Sequence, residues 1–161
     1  MPSKSTIVAA LDAFIRQRPG LEFGNYGDVS SYRSDVRSIG KDLQHARALL
    51  ESRPFLSRIP DQSLIASEPG TGAEHIRATR DSEGRYALVY IPAGAVTGAR
   101  EIQLDLTKLA GDRVAAYWYD PRTGAARALG ATPKRTPMTF TVPQGGPDWV
   151  LVLDDASCHF P

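Results

Sequence analysis

The chain contains very little cysteine and no excess of either charge. Its 161 residues include one cysteine, Cys158, which leaves no partner for an internal disulfide. Nineteen Lys and Arg residues face 18 Asp and Glu residues, so the formal net charge is +1. A balance this even gives no electrostatic reason for binding nucleic acid or an anionic membrane. We therefore expect a domain that is stabilised by its core and has no nucleic-acid partner.

Long apolar runs are missing as well. No segment approaches the roughly 20 apolar residues that a membrane-spanning helix needs. The first apolar stretch is interrupted by Asp12 and Arg16, and it lacks the features of a secretory signal peptide. We expect a soluble chain without a membrane partner, which would be cytoplasmic as written.

Sequence patterns typical of metal and cofactor sites are absent too. His45, His75 and His159 are far apart, and no cysteine pair accompanies them at zinc-ligand spacing. The sequence has no phosphate-binding loop and no nucleophile elbow. Cys158 and His159 are adjacent, and adjacent side chains point to opposite sides of an extended chain. The sequence predicts no catalytic residue, no metal site and no cofactor.

Paired carboxylates are the remaining route to catalysis, because two of them can hydrolyse a glycosidic bond. Most acidic residues stand where turns and strand ends use Asp to bond the local backbone. Asp154 and Asp155 end an apolar run, and we expect them to be a solvated pair. The candidates are Asp61, Asp81, Glu83, Asp105, Asp120, Asp148, Asp154 and Asp155. A glycosidase that depends on Asp120 or Asp148 is the least favoured alternative.

The N-terminal third has the pattern of helices. Apolar residues three and four positions apart predict a helix over residues 5–18 and a second over residues 30–51. The apolar stripe of the second helix contains Tyr32, Val36, Ile39, Leu43, Ala46 and Leu50. We expect residues 1–52 to form a helical N-terminal segment.

From about residue 62 the period of the apolar residues becomes two. Seven short segments rich in Val, Ile, Tyr, Trp and Thr are separated by turn residues: SLIAS, EHIRATRD, RYALVYIP, REIQLDL, RVAAYWYD, PMTFTVP and DWVLVLD. This spacing is typical of an antiparallel sandwich or barrel. The sequence therefore predicts a mainly β fold, an antiparallel β-sandwich of about seven to eight strands over residues 53–161. YALVYI and WVLVL are apolar on both faces, so we expect the N-terminal helices to cover one outer face.

The segment AYWYDPRTG contains three consecutive aromatic residues before a turn. Strand alternation puts Tyr117 and Tyr119 on one face and Trp118 on the other, in the core between the sheets. Asp120 to Gly124 has the residues of a hairpin turn, with Arg122 at its exposed tip. The two tyrosines are either packed or available to stack on a ligand. The candidate ligand contacts are Tyr117, Tyr119 and Arg122, with Tyr86 and Tyr90 on a neighbouring strand.

The segment SRPFLSRIPDQ joins the helices to the predicted sandwich. Its prolines favour an extended chain, because a residue before proline avoids the helical conformation. We expect Phe55, Leu56 and Ile59 to fix this strap across the sandwich. Arg53 or Arg58 is expected to form an ion pair with Asp61.

Four stretches in this order carry a family resemblance: SRPFLSRIPDQSLI, YALVYIPAG, VAAYWYDPRTG and DWVLVLDD. Over about residues 47–155 the chain resembles the C-terminal β-sandwich domain of apiosidase-like glycoside hydrolases, which is also described as a collagen-binding domain of a collagenase. The resemblance implies a non-catalytic accessory module, because in such enzymes the acid and base lie on a preceding (β/α)8 barrel. Related modules occur in exported enzymes. Residues 1–46 depart from the family pattern.

Three functions follow from these observations. The favoured one is an accessory module that binds a polysaccharide or a collagen-like chain through aromatic stacking. The second is a structural module that packs on a catalytic barrel or forms a homo-oligomer, because an uncovered apolar stripe needs a partner. The third is a glycoside hydrolase fragment that depends on a carboxylate pair.

Overall fold

The computed structural model describes residues 43–92, 100–144 and 148–160. Within them, residues 43–51 are helical, and the helix is followed by eight strands, in agreement with the predicted number. The strands are β1 (Arg58–Pro60), β2 (Arg77–Asp81), β3 (Tyr86–Ile91), β4 (Glu101–Leu104), β5 (Arg113–Tyr119), β6 (Ala126–Pro133), β7 (Met138–Thr141) and β8 (Trp149–Asp155). The helix predicted for residues 5–18 lies outside the described residues, as does most of the one predicted for residues 30–51. In the described part of the chain, no helix is long and apolar enough to cross a membrane.

The strands form two antiparallel sheets. The larger sheet has the order β1-β2-β3-β8-β5-β6, and the smaller sheet pairs β4 with β7. The described strands form two separate sheets and close no barrel. Of the two predicted alternatives, the sandwich is therefore confirmed and the barrel is wrong. Strands β1 and β6 are the two edges of the large sheet, and β3, β8 and β5 form its centre.

The main core lies between the two sheets. Alternate residues of the central strands enter it, including Val89 from β3 and Leu151 from β8, and they meet Ile102 and Phe140 of the small sheet. Trp118 belongs to this core, as the alternation predicted. Its ring contacts that of Trp149 edge to face, with ring centroids 6.4 Å apart. Burial of this apolar surface is the principal stabilising contribution to the sandwich.

The opposite face of the large sheet, here called the outer face, carries a second apolar cluster. It contains Leu49 of the helix together with Tyr86, Leu88, Tyr119, Val150 and Val152, and Phe160 packs against it. The predicted cover of one outer face by an N-terminal helix is therefore confirmed. The predicted stripe is wrong in the described part, because Leu43 and Leu50 are 61% and 46% exposed. The helix docks instead through the face of His45 and Leu49, which lie one turn apart.

Two local assignments differ from the sequence pattern. SLIAS is not a strand, because Gln62–Leu64 forms a 3-10 turn whose start is capped by the Asp61 side chain. Ile65 alone pairs with a strand residue, Leu104. Strand β6 was missed because ARALGATP shows no alternation of apolar and polar residues. All of its eight residues are exposed.

The apolar contacts predicted for the strap, the segment SRPFLSRIPDQ, are wrong. Phe55 and Leu56 are 59% and 90% exposed, and Ile59 is also exposed, so these side chains do not fix the segment. Polar groups hold it instead. The Tyr86 hydroxyl donates to the Pro54 carbonyl at 2.7 Å.

Candidate functional site

The outer face brings the four predicted tyrosines together. In the strand register, Leu88 and Tyr117 both pair with Val152, while Tyr90 and Tyr119 both pair with Val150. Tyr86 pairs with Asp154 at the other end of the same face. The alternation of the strands therefore predicted correctly which tyrosines share a surface, but not which of them are accessible.

Tyr86 lies at the covered end of this face and is fully buried. The Phe160 ring meets it edge to face, with centroids 5.8 Å apart and planes at 86°. The Arg58 guanidinium lies 5.3 Å from the centre of the Tyr86 ring, and its Nε donates to the Tyr86 hydroxyl at 3.1 Å. With both its ring and its hydroxyl engaged, Tyr86 is not accessible for stacking in this conformation.

Arg53 is the centre of the polar contacts at the covered end, and it is only 3% exposed. It donates to both carboxylate oxygens of Asp154, at 2.7 and 2.6 Å, and to the Tyr117 hydroxyl. Its guanidinium also lies 5.5 Å from the Tyr117 ring centre and 5.3 Å from that of Phe160. Burial lowers the pKa of Arg53, but the hydrogen bond and charge of Asp154 outweigh it and raise that pKa.

These contacts correct two predictions. Asp154 and Asp155 are not solvated, because both are buried at the end of β8. Asp154 is neutralised by Arg53, and Asp155 accepts hydrogen bonds from the backbone and hydroxyl of Ser157. Arg53 pairs with Asp154 across the sheet, and neither it nor Arg58 pairs with Asp61.

Tyr119 and Tyr117 also take part in packing. The Tyr119 hydroxyl donates to the His45 carbonyl at 2.8 Å and so ties the helix to β5. Tyr119 is buried, and its burial raises the pKa of the hydroxyl. Tyr117 is half-buried, and burial is the largest cause that raises its pKa.

The hairpin after β5 has the turn that the sequence predicted. The Asp120 carbonyl accepts the Gly124 N–H at 2.8 Å, and Gly124 has a φ of 74°. The Asp120 carboxylate accepts from the Arg122 backbone at 2.9 Å and from its guanidinium at 3.0 and 2.8 Å. A Cβ at position 124 would lie 2.5 Å from Nδ1 of His45, so the helix and the hairpin tip are in close contact.

The opposite end of the outer face is partly accessible, and we call it the open end: Arg77, Tyr90, Asp120, Arg122 and Asp148. Arg77, Tyr90 and Arg122 are exposed there, whereas Asp120 is buried. The Tyr90 side chain is 38% exposed, and the exposed Arg77 lies directly opposite it in the register. Partial burial raises the pKa of Tyr90, and the charge and hydrogen bond of Asp148 raise it further. The hydrogen bond that Arg122 donates to Asp120 is the main cause that raises the pKa of Arg122, and the charge of Asp148 also raises it.

The open end unites two of the predicted ligand contacts, Tyr90 and Arg122, with Asp120 and Asp148, the two carboxylates of the glycosidase alternative. It adds Arg77, which the sequence did not indicate. Asp148 precedes β8 by one residue, and Val150 pairs with both Tyr90 and Tyr119. The proximity of Asp148 to Tyr90 follows only from the strand order, in which β8 lies between β3 and β5. An exposed ring can stack on a sugar or a proline, and the flanking charges can bond hydroxyl groups. Whether this group binds a ligand stays a prediction.

Two further candidate carboxylates, Asp61 and Asp81, have cationic partners. Asp61 accepts from Arg80 at 2.7 Å and from Lys108 at 2.9 Å, while Ser63 makes the largest contribution that holds its pKa well below the usual range. Arg85, followed by Ser57, lowers the pKa of Asp81 to about 2. In the described ranges, no group of three His, Cys, Asp or Glu residues could hold a metal ion.

Comparison with known proteins identifies relatives for most of the described sandwich. Residues 59–154 match the family described as "Putative collagen-binding domain of a collagenase". A glycoside hydrolase family 5 structure from Bacteroides vulgatus ATCC 8482 is 30% identical, with a TM-score of 0.63, over 72% of this chain and 24% of that one. A second structure, described as "Glycoside hydrolase", is 27% identical, with a TM-score of 0.61, over 72% and 25%. The chain thus spans about a quarter of each structure's length. No curated protein matches it.

Proposed function

Because the chain belongs to the family described as "Putative collagen-binding domain of a collagenase", we propose that it is a non-catalytic module that binds a glycan or a collagen-like chain. A role as an accessory module of glycoside hydrolases is in keeping with the similarity to a quarter of the length of two such chains. The proposed ligand would bind at the open end.

The state of the carboxylates supports a non-catalytic role. Glycoside hydrolysis needs one carboxylic acid whose pKa is raised, so that it holds a proton near neutral pH. Asp61, Asp81 and Asp120 all have lowered pKa values, and each of them bonds an arginine. Groups in this state are ionised at neutral pH and suit structural ion pairs better than proton donation. The glycosidase alternative through Asp120 is therefore disfavoured.

The ligand-binding proposal is carried by the exposure of Tyr90, which has Arg77 beside it in the register and Asp148 as a neighbour that it shares with Arg122. The other three tyrosines of the outer face hold the helix, the strap and the C-terminal segment. Among the four tyrosines of the outer face, Tyr90 is therefore the one whose ring is accessible to a ligand. The cations of the open end can donate to sugar hydroxyls or to the carbonyls of a collagen-like peptide.

Binding of soluble glycans and collagen peptides, measured by titration calorimetry, tests this proposal. We expect Tyr90→Ala to weaken the affinity about fivefold, since one aromatic contact contributes about 1 kcal/mol. Phe55→Ala is the matched control, because Phe55 is an exposed aromatic residue at another part of the surface. Equal losses in both variants, or no binding of any glycan or collagen peptide to the wild-type chain, would contradict it.

A second candidate function is packing on a catalytic domain, and an exposed apolar surface favours it. Leu50, Phe55 and Leu56 form what we call the apolar corner, and all three are exposed. They are brought together by Arg58, which donates to the Leu50 carbonyl at 2.9 Å and to the Phe55 carbonyl at 3.1 Å. Exposed apolar side chains grouped in this way mark surfaces where proteins associate.

Sedimentation at increasing protein concentration tests the apolar corner. We expect the chain to self-associate weakly through the exposed apolar corner, and Leu56→Asp to reduce that association. Leu129→Asp is the control, since Leu129 is an exposed leucine on β6. A chain that stays monomeric at all concentrations would count against this function.

A further inference from the structure

The edge strand β6 combines full exposure with an excess of cations. The sequence from residue 121 to residue 147 contains no Asp or Glu, yet it contains Arg122, Arg127, Lys134 and Arg135. Strand β6 lies at the edge of the large sheet, beside β5. We use the name basic edge for Arg113, Arg127, Lys134 and Arg135, which lie in β6 or directly beside it.

Within the part of the chain that the structure describes, no carboxylate forms an ion pair with a residue of the basic edge. Arg113 donates to the Ala131 carbonyl at 2.7 Å, and Lys134 donates to the Leu109 carbonyl at 2.6 Å. The side chains of Arg127 and Arg135 have no hydrogen-bond or ion-pair partner among the described residues. The two acidic residues between positions 111 and 135 are Asp112, next to Arg113, and Asp120, which Arg122 neutralises. A net positive charge therefore remains along this edge.

The spacing of the cations fits a long anion better than a small one. By register Arg127 lies opposite Trp118, on the inner side of the sheet, while Arg113 lies opposite Pro133 on the outer side. The strand from Arg127 to Pro133 spans about 20 Å at a rise of about 3.3 Å per residue. One carboxylate or sulfate cannot reach both ends of this distance. A linear polyanion that follows the edge can contact cations from both faces of the sheet.

The strand itself is protected against pairing with a peptide. Its register shifts opposite Ala116 and Tyr117, and Gly130 has a φ of 90° there, so a bulge interrupts the edge. Pro133 ends the strand without an N–H group. Bulges, prolines and cations at an edge all oppose the addition of another strand. Residues 121–137 also contain no aromatic side chain on which a nucleic-acid base could stack.

We propose that the basic edge binds an acidic polysaccharide that carries carboxylate or sulfate groups. The choice of a polysaccharide rests on the proposed role as an accessory module of a carbohydrate-active enzyme, whereas the charge and the length of the site come from β6 itself. The basic edge is separate from Tyr90, so it provides a second, electrostatic contact for a glycan.

Binding of the full chain to immobilised polygalacturonate, dextran sulfate and neutral dextran tests this inference. We expect binding to both acidic polymers but not to dextran, and a loss of affinity as salt shortens the screening length. The double substitution R127E/R135E should weaken binding about tenfold or more, because it turns attraction into repulsion at both ends of the site. The control R47E/R100E changes the net charge equally, away from β6, and should alter the affinity less than about twofold.

Equal losses in the two double variants would overturn the proposal, as would equal binding of neutral dextran. Poly-glutamate that binds as tightly as the acidic polysaccharides would overturn the choice of ligand. The Tyr90→Ala variant should bind the acidic polymers as tightly as the wild type does. The proposal for the open end and the proposal for the basic edge can therefore fail independently, because each has its own variant and its own loss of binding.

Discussion

Replacing Arg53 with methionine should destabilise the protein more than any other single change at the outer face. The substitution keeps an unbranched side chain of similar length but removes the charge from a residue that is 3% exposed. Asp154 would lose both short hydrogen bonds and stay buried as an uncompensated carboxylate. The Tyr117 hydroxyl would lose its donor, and the two aromatic rings would lose their cation.

The expected cost is about 3–5 kcal/mol, the range measured when one partner of a buried ion pair is removed. For a domain of this size, each kcal/mol shifts Tm by about 3–4 °C, so Tm should fall by roughly 10–20 °C. The double variant R53M/D154L removes both charges together. It should recover most of the loss, because the penalty comes from the buried, unpaired carboxylate.

Urea unfolding of the wild type, R53M and R53M/D154L, followed by circular dichroism, measures these free energies. The unfolding slopes should agree among the three proteins, so that the midpoints compare stability directly. R47M is a control, because the pair between Arg47 and Glu51 is exposed on the helix and should contribute less than about 0.5 kcal/mol. An R53M cost below about 1 kcal/mol, or a double variant less stable than R53M, would refute the assignment of Arg53 as the central contact.

Two further predictions concern the turn between β2 and β3. Gly84→Ala should cost about 3 kcal/mol in urea unfolding, since its Cβ would lie 2.4 Å from the Lys108 carbonyl oxygen. Gly72→Ala, where nothing lies within 4 Å, should cost only about 1 kcal/mol, and equal costs would contradict the steric reason. Asp81 has a pKa of about 2 in the folded protein, below its ordinary 3.8, so its contribution is present above about pH 4 and is lost as pH falls through 2. The stability difference between wild type and Asp81→Asn should therefore shrink between pH 4 and pH 2, and a difference that grows on acidification would exclude this linkage.

The sandwich and its faces could be predicted from the sequence because burial leaves a period of two. Trp118 alternates with Tyr117 and Tyr119, and this alternation correctly assigned each to a face of the sheet. The hairpin followed from local chemistry, since Asp120 and Gly124 satisfy the turn by themselves. Strand β6 is exposed on both faces and leaves no such pattern.

The contacts of the candidate site could not be predicted, because they join residues that are distant in sequence. Arg53 meets Asp154 across 101 positions, and the local sequence around Arg53 favoured a nearer partner, Asp61. Leu49 packs on the outer face where the Tyr119 hydroxyl bonds the helix at His45 and Arg53, just after the helix, bonds Asp154. Asp148 joins Tyr90 only through the position of β8 between β3 and β5. Composition and periodicity contain no information on strand order.

The open end and the apolar corner lie at opposite ends of the outer face, so ligand binding and domain packing do not compete for one surface. Tyr90 is four residues beyond Tyr86 on β3, a distance of about 13 Å at the usual strand rise. The apolar corner lies on the Tyr86 side, since both Arg58 and the Pro54 carbonyl contact that residue. Substitutions at sites this far apart without shared partners combine additively. The variant with both Tyr90→Ala and Leu56→Asp should therefore lose ligand affinity as much as Tyr90→Ala alone and self-association as much as Leu56→Asp alone. A combined variant that deviates from these values would indicate that the two ends of the outer face are coupled.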